Sequence, residues 1–361
     1  MQLWQKNVRK VEPYVPGEQP LDEKVIKLNT NENPYPPSPL VMKAADELAK
    51  KGENPLRKYP DPEVKKLVQT LSAYHGVWPE NVFVGVGSDD VLSVAFLTFF
   101  NSDKKILFPD VTYSFYPVWG DVYHIPYKTV KTDEDFKIKA DDYLVPNGGI
   151  VIANPNAPTG MSLTLSDIEK IVEGNPASVV IIDEAYIDFG GKSALELTRE
   201  YDNVLVVRTF SKSRSLAGLR VGYAIGNEAL IKAMNDIKFS INSYTMNAPS
   251  ILLGSASVKD DEYFRKCIRQ IRDTRDYTVE NLERLQFKVL PSDANFVFAT
   301  HIRFKAEEIF KALKERKIYV RYFNKPRIDN YLRISIGTDE EMRAFFKVLR
   351  DILHTFSLNL L

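Results

Sequence analysis

Five short apolar runs, Ile106–Phe108, Ile150–Ala153, Val179–Ile182, Val204–Val207 and Val221–Ile225, punctuate the middle of the chain, with helical or polar stretches between most of them. Apolar residues at consecutive rather than alternate positions suit strands buried on both faces. Strands of that kind alternating with helices build a mainly parallel sheet covered by helices, so the fold class is α/β. Upstream, apolar residues at 64, 67, 68, 71 and 74 predict a helix, and Asn81–Val86 predicts a further strand. Gly85-Val86-Gly87-Ser88 then turns the chain into an apolar helix starting near Asp89. In sheets of this class chemistry collects where strands end in loops.

The flanks differ from this centre. Prolines at 13, 16, 20, 34, 36, 37 and 39 make residues 1–40 an extended arm with little regular structure of its own. Helical periodicity runs from about Pro249 to Leu285, long enough to bridge two units. Phe287–Leu290, Asn295–Phe298, Ile318–Tyr322 and Leu332–Ile336 then alternate with two helices as a smaller α/β unit. A chain of 361 residues is too long for one ordinary core. The expected division is an arm over 1–45, a large domain over 46–255 and a small domain with the linking helix over 256–361.

Bulk properties exclude several function classes. Lys plus Arg and Asp plus Glu number 48 each, with 44% apolar residues, so charge recruits neither nucleic acid nor a membrane. Cys267 is the only cysteine, which rules out an internal disulfide and suits a reducing compartment. MQLWQKNVRK lacks the apolar core of a signal peptide, and Val91–Phe100 is too short to span a bilayer, so a cytoplasmic protein is expected. His75, His124, His301 and His354 lie far apart and outside metal-ligand spacings, and no metal site is expected.

Four strand ends carry polar groups that a structural sheet does not need. Gly87-Ser88-Asp89 opens a helix, where free N–H groups attract a phosphate or where Ser and Asp simply cap. Asn154 to Gly160, NPNAPTG, is a tight loop. Asp183, in VVIIDEAY, sits at the mouth of a buried strand and needs a cationic partner. Lys212, in TFSKSRSLAGLR, taken alone reads as a solvated turn residue, although desolvation or a nearby Arg214 or Arg220 could make its amine a nucleophile. One cofactor demands all four at once. Pyridoxal phosphate has an aldehyde suited to a lysine, a ring nitrogen suited to a carboxylate, and a phosphate suited to a helix N-terminus with arginine.

NPNAPTG, DEAY and TFSKSRSLAGLRVG resemble the signature blocks of class I and II pyridoxal-phosphate aminotransferases of fold type I. NVRKVEPYVPG, LNTNENPYPPSP, RKYPDP and LRISIGT are similar, more narrowly, to the histidinol-phosphate aminotransferases, and the resemblance runs from Asn7 to about Leu353. It implies a large domain with a seven-stranded, mainly parallel sheet and a smaller α/β domain. Carried over by position, it makes Lys212 the residue that condenses with the cofactor and moves the proton, and Asp183 the partner of the ring nitrogen. Tyr186 would bond the ring hydroxyl and Tyr113 would stack on the ring. Ser88, Asp89, Ser211 and Arg220 would hold the cofactor phosphate, with Tyr59 reaching it from a neighbouring subunit, which implies a homodimer with shared active sites. Arg333 matches the family's carboxylate- or phosphate-binding arginine, and Tyr14 and Arg321 fall where the family grips substrate phosphate. One position departs: the family asparagine before the proline is Ala157 here, and Asn156 is the expected substitute.

Two other classes compete. A nucleotide-binding ATPase would use VVIIDE and Gly191-Lys192-Ser193, but the phosphate loop lacks its first glycine, Tyr186 standing in that place, and the order is reversed. A non-catalytic regulator on this fold would need an added DNA-binding module at one end, and none is expected from the residues at either end. Within the fold, histidinol phosphate with 2-oxoglutarate is the expected substrate pair. An aromatic amino acid aminotransferase and a phospho-amino-acid decarboxylase are the alternatives.

Overall fold

The computed structural model describes residues 3–22, 24–50 and 55–358. Its strands, in chain order, are β1 (Ile26–Leu28), β2 (Val82–Gly85), β3 (Ile106–Pro109), β4 (Tyr127–Val130), β5 (Gly149–Ala153) and β6 (Val180–Asp183). They continue with β7 (Val204–Thr209), β8 (Gly222–Gly226), β9 (Phe287–Val289), β10 (Phe296–His301), β11 (Ile318–Tyr322) and β12 (Leu332–Ser335). Seven of them form one sheet in the order β2-β8-β7-β6-β5-β3-β4. From β4 through β7 every neighbouring pair is parallel. Strand β8 runs against both β7 and β2. Parallel pairing needs a crossover that usually carries a helix. Between Thr209 and Gly222 there is only the 3-10 turn Ala217–Leu219, so β8 must fold straight back. Lys212 is thereby pinched into the turn between two central strands.

Pleating sends alternate residues of these strands into two different cores. Val151, Ile181 and Leu205 pack on one face with Val91, Phe96 and Met234. Ile150, Ile182 and Val206 pack on the other with Ile168, Ile171 and Leu197. Both faces are buried, which explains why the sequence shows unbroken apolar runs. Each such side chain stabilises the fold by roughly 1.5–3 kcal/mol. The register sets Ala153 beside Asp183 and Asp183 beside Val207, so the strand ends that carry function form one edge.

The second sheet has the order β1-β11-β12-β10-β9 and is antiparallel except where β1 joins β11. Three sequence expectations change here. The proline-rich arm contains β1, a three-residue strand too short to show a period. Strand β4 lies at the sheet edge with Lys128 and Thr129 exposed, so it carries no apolar run to detect. The single linking helix is two, Ala248–Lys259 and Asp261–Arg284, parted at Asp260, whose φ of −96° and ψ of 61° leave the helical region. One non-helical residue does not disturb an apolar stripe enough to be read from it.

Candidate active site

At the functional edge of the large sheet, facing the second sheet and the arm, lies a cavity of about 260 Å³. Lys212 lines it, and its Nζ donates to the Thr30 carbonyl at 3.0 Å. Asp183, at the end of β6, lines it too. Its Oδ2 accepts from the Tyr116 hydroxyl at 2.9 Å and its Oδ1 from the Ala185 N–H at 3.2 Å. Among the described residues no cation pairs with Asp183, and burial pushes its carboxyl up to about 6. Tyr113 lines the same cavity and donates to Asp89 Oδ1 at 2.8 Å. Tyr186 lines it from the loop after β6, and its phenol oxygen accepts from Asn31 Nδ2 at 3.0 Å.

One end of the cavity is built for an anion. The helix Gly87–Phe99 begins there without a side-chain cap, leaving its first N–H groups for a ligand. Arg220 bends in from a left-handed backbone (φ 53°) and donates to Ser211 Oγ at 3.2 Å, with Asp89 Oδ2 at 3.6 Å. Two glycines permit this approach. A Cβ on Gly87 (φ +82°) would lie 2.5 Å from the Arg220 guanidinium, and one on Gly222 would lie 2.4 Å from the Ser88 nitrogen.

From the second sheet the cavity receives two more guanidinium groups. Arg333 is half-buried, donates from one Nη to the Asn29 carbonyl at 3.0 Å, and among the described residues leaves its buried Nε without a partner. Such a donor costs about 1–3 kcal/mol unless something pairs with it. Burial pushes the Arg333 pKa down, so an incoming anion would relieve that desolvation. Arg321 donates to the Pro16 and Val15 carbonyls at 3.2 and 3.1 Å, and Phe323 lies between the two arginines, 5.3 Å from one and 5.5 Å from the other. Tyr14 stacks on Phe115 at 4.5 Å, and burial raises its phenol pKa against the opposing pull of Arg321 and Arg333.

Of the residues singled out in sequence, Ser88, Asp89, Tyr113, Asp183, Tyr186, Ser211, Lys212, Arg220, Tyr14, Arg321 and Arg333 all line this cavity. Two do not. Tyr59 is 82% exposed and packs on Tyr244, 4.6 Å away, outside the cavity of its own chain. Asn156 is turned into its own loop: its Nδ2 donates to the Val111 carbonyl and to Thr159 Oγ1, and its Oδ1 accepts from Thr112. Its neighbour Ala157 lines the cavity and offers no polar group. Ser193 of the Gly-Lys-Ser stretch caps the 3-10 helix Ala194–Arg199 and bonds Glu184, so no phosphate loop forms there.

Residues 23–349 match the family described as aminotransferase class I and II. The chain belongs to that family. It is 52% identical over 354 residues to a histidinol-phosphate aminotransferase 1 of Hydrogenovibrio crunogenus, spanning 98% of this chain and 99% of the relative. It is 50% identical over 351 residues to a histidinol-phosphate aminotransferase of Clostridium botulinum, spanning 97% and 98%. The solved histidinol-phosphate aminotransferase of Sinorhizobium meliloti with pyridoxal-5'-phosphate shares the fold, with a TM-score of 0.83 at 23% identity over 92% of each chain.

The protein is therefore a pyridoxal-phosphate-dependent aminotransferase, and the cavity fits that cofactor. A buried carboxylate without a cation, an amine and an uncapped helix start beside an arginine answer its ring nitrogen, aldehyde and phosphate. Sequence reasoning assigned no role to Asn31, Phe115 or Phe323, which also line the cavity of this aminotransferase. Asn31 sits in the block LNTNENP, where nothing local distinguishes the asparagine that turns inward. Arg214, unassigned in sequence, is buried under Phe264, 4.2 Å from its ring centre, and donates to the Ser257 carbonyl at 2.8 Å. It ties the lysine turn to the helices that follow.

Proposed function

We propose that this aminotransferase moves an amino group between L-glutamate and imidazole acetol phosphate, giving 2-oxoglutarate and histidinol phosphate, the transamination of L-histidine biosynthesis. The observation that carries this is the second anion pole. Arg333 with its unpartnered Nε, Arg321 and Tyr14 line the same cavity as Ser88, Ser211 and Arg220 but come from the arm and the second sheet. A substrate that carries a phosphate or a second carboxylate far from its nitrogen suits that pole. The names of the two relatives at 50% identity or more support the same substrate.

When bound, the cofactor supplies an aldehyde that carries the amino group and a ring that accepts the electron pair released at the substrate carbon. Asp183 would hold its ring nitrogen protonated, which offsets the cost of burying that carboxylate. Lys212 would hold the aldehyde and, once displaced by substrate, its free Nζ would take and return the proton at the carbon bearing nitrogen. Tyr113 would cover one ring face, Tyr186 would bond the ring oxygen, and Ser88, Asp89, Ser211 and Arg220 would bind the phosphate. Arg333 would bind the carboxylate of glutamate and the phosphate of the other substrate in turn, so that one site serves both halves.

The same proposal takes the chain as a cytoplasmic homodimer in which Tyr59, exposed in its own subunit, completes the neighbour's phosphate site. It divides the chain into an arm, a large domain and a small one. The boundaries expected at residues 45 and 255 fall inside the helices Pro39–Lys50 and Ala248–Lys259, which pack on each other, the second also on Lys65–His75, so we move them to Ser38 and Asp260.

Stopped-flow half-reactions test the substrate. Histidinol phosphate should discharge the visible absorbance of the loaded protein with a specificity constant at least 100-fold above that for phenylalanine, given about 1–3 kcal/mol per missing polar contact. Equal or faster discharge by phenylalanine would replace histidinol phosphate with an aromatic amino acid, which the rings of Tyr14, Phe115 and Phe323 would then serve.

A further inference from the structure

Ala157 presents a methyl group where the ring oxygen of the cofactor would otherwise find an amide, and Asn156 is occupied by its own loop. That leaves the hydroxyl of Tyr186, whose usefulness depends on where its hydrogen points. A phenol O–H lies near the ring plane on one side of the oxygen and accepts on the other. If an acceptor stood beside Tyr186, its hydrogen would be drawn away from the cavity.

What stands there is Asn31, and a directed chain of hydrogen bonds orients it. The Asn31 backbone N–H can only donate, and it donates to Ser335 Oγ at 3.0 Å. The Ser335 hydroxyl, accepting there, donates to Asn31 Oδ1 at 2.9 Å. With its carbonyl oxygen so engaged, the Asn31 amide presents Nδ2 to the Tyr186 oxygen at 3.0 Å. Asn295 Nδ2 holds the Asn31 carbonyl at 3.0 Å, and a left-handed backbone (φ 57°), which asparagine tolerates, aims the side chain inward. Asn31 and Ser335 are buried, at 1% and 3% exposure, so water does not compete for these bonds.

We propose that Asn31 is a positioning residue for Tyr186: by donating to the phenol oxygen it turns the phenol hydrogen into the cavity, where it serves the ring oxygen that Ala157 leaves without an amide. This rests on the assignment of Tyr186 to the ring oxygen. These hydrogen bonds run from the Asn31 N–H through Ser335, at the end of β12 in the small sheet, back to the Asn31 amide and on to Tyr186, in the loop after β6 of the large one. The polarity of Tyr186 is therefore set across the gap between the two sheets.

The test is a pH titration of the visible chromophore in the cofactor-loaded protein, with Asn31→Gly, Ser335→Ala, Tyr186→Phe and the double variant Asn31→Gly/Tyr186→Phe. Glycine keeps the left-handed backbone free of strain. Donation from Tyr186 stabilises the ring oxygen as an anion, so its loss raises the pH at which the chromophore changes form, by roughly one pH unit. Asn31→Gly should shift the midpoint in the same direction, Ser335→Ala should do so by less, and Asn31→Gly should add nothing once Tyr186 is Phe. If Tyr186→Phe leaves the midpoint where it was, the assignment of Tyr186 fails. If Tyr186→Phe shifts it while Asn31→Gly and Ser335→Ala do not, or if Asn31→Gly shifts it equally in both backgrounds, the role of Asn31 is overturned on its own. Should Asn31→Gly fail to fold, Ser335→Ala in the Tyr and Phe backgrounds decides by the same comparison.

Discussion

At Asp183 the protein keeps a buried carboxylate that no cation among the described residues meets, and the consequence is measurable without the cofactor. Its folded pKa of about 6 lies above the usual value near 4, so the folded state holds the proton more tightly than the unfolded chain. Stability of the cofactor-free protein from this group is then highest below about pH 4, falls as pH rises through about 4 to 6, and stays lowered above. At pH 7.5 Asp183→Asn, which removes that charge, is expected to raise the melting temperature of the cofactor-free protein, worth roughly 2–3 kcal/mol, with the gain gone near pH 4. Calorimetry at the two pH values checks this, and the loaded variant should lose most of its transamination rate. Arg333 gives a second prediction at this scale. Arg333→Lys cannot reproduce a guanidinium fork, and removing a buried partner of an anion costs about 2–5 kcal/mol. The specificity constants for glutamate and histidinol phosphate should both fall by two orders of magnitude or more, while cofactor affinity measured by absorbance stays within about twofold.

Among the elements, the arm is held over the cavity by specific bonds rather than by structure of its own. Arg321 grips the Val15 and Pro16 carbonyls, Asn29 Nδ2 bonds the Glu18 carbonyl at 2.7 Å, and Lys314 meets Glu18 at 2.8 Å. Arg321→Ala removes two of these bonds at once, each worth about 1–2 kcal/mol. Limited proteolysis of this variant is expected to cut within residues 10–22 several-fold faster than in the wild type, with the rest of the chain unaffected. The pairing of β8 with β2 gives the complementary case. Gly222→Ala would drive a methyl group 2.3 Å from the Gly87 carbonyl carbon, a backbone atom that cannot move aside cheaply. Separation of β8 from the helix start should weaken cofactor retention on gel filtration even where the protein folds.

For the whole molecule, the exposure of Tyr59 on its own subunit leads to a hybrid experiment. Lys212→Ala and Tyr59→Ala proteins should each be nearly inactive alone. After mixing and subunit exchange, half the dimers are hybrids with one complete site of two, so about one quarter of wild-type activity should return. No recovery, with exchange shown by differently tagged subunits, would mean that each site is built within one chain.

The consecutive apolar runs were enough to specify a doubly covered, mainly parallel sheet, because burial on both faces is written into neighbouring residues of one strand, although the run of β8 does not show that it pairs antiparallel. The lysine, the aspartate and the helix start at Gly87-Ser88-Asp89 were legible for a related reason: a cofactor with three chemically distinct handles demands residue types that local sequence displays. Contacts between distant segments were not legible. The strand Ile26–Leu28 exists because it finds β11, nearly three hundred residues away in the chain, and nothing in its three residues announces that partner. Asn156 and Asn31 are both asparagines in recognisable blocks, yet tertiary hydrogen bonds turn the first into its loop and the second onto Tyr186. Sequence determined which chemical groups this protein brings to its cavity, since composition and local pattern decide them. Only the tertiary structure decided which way those groups point, because a side chain's direction is set by whichever buried partners the fold places beside it.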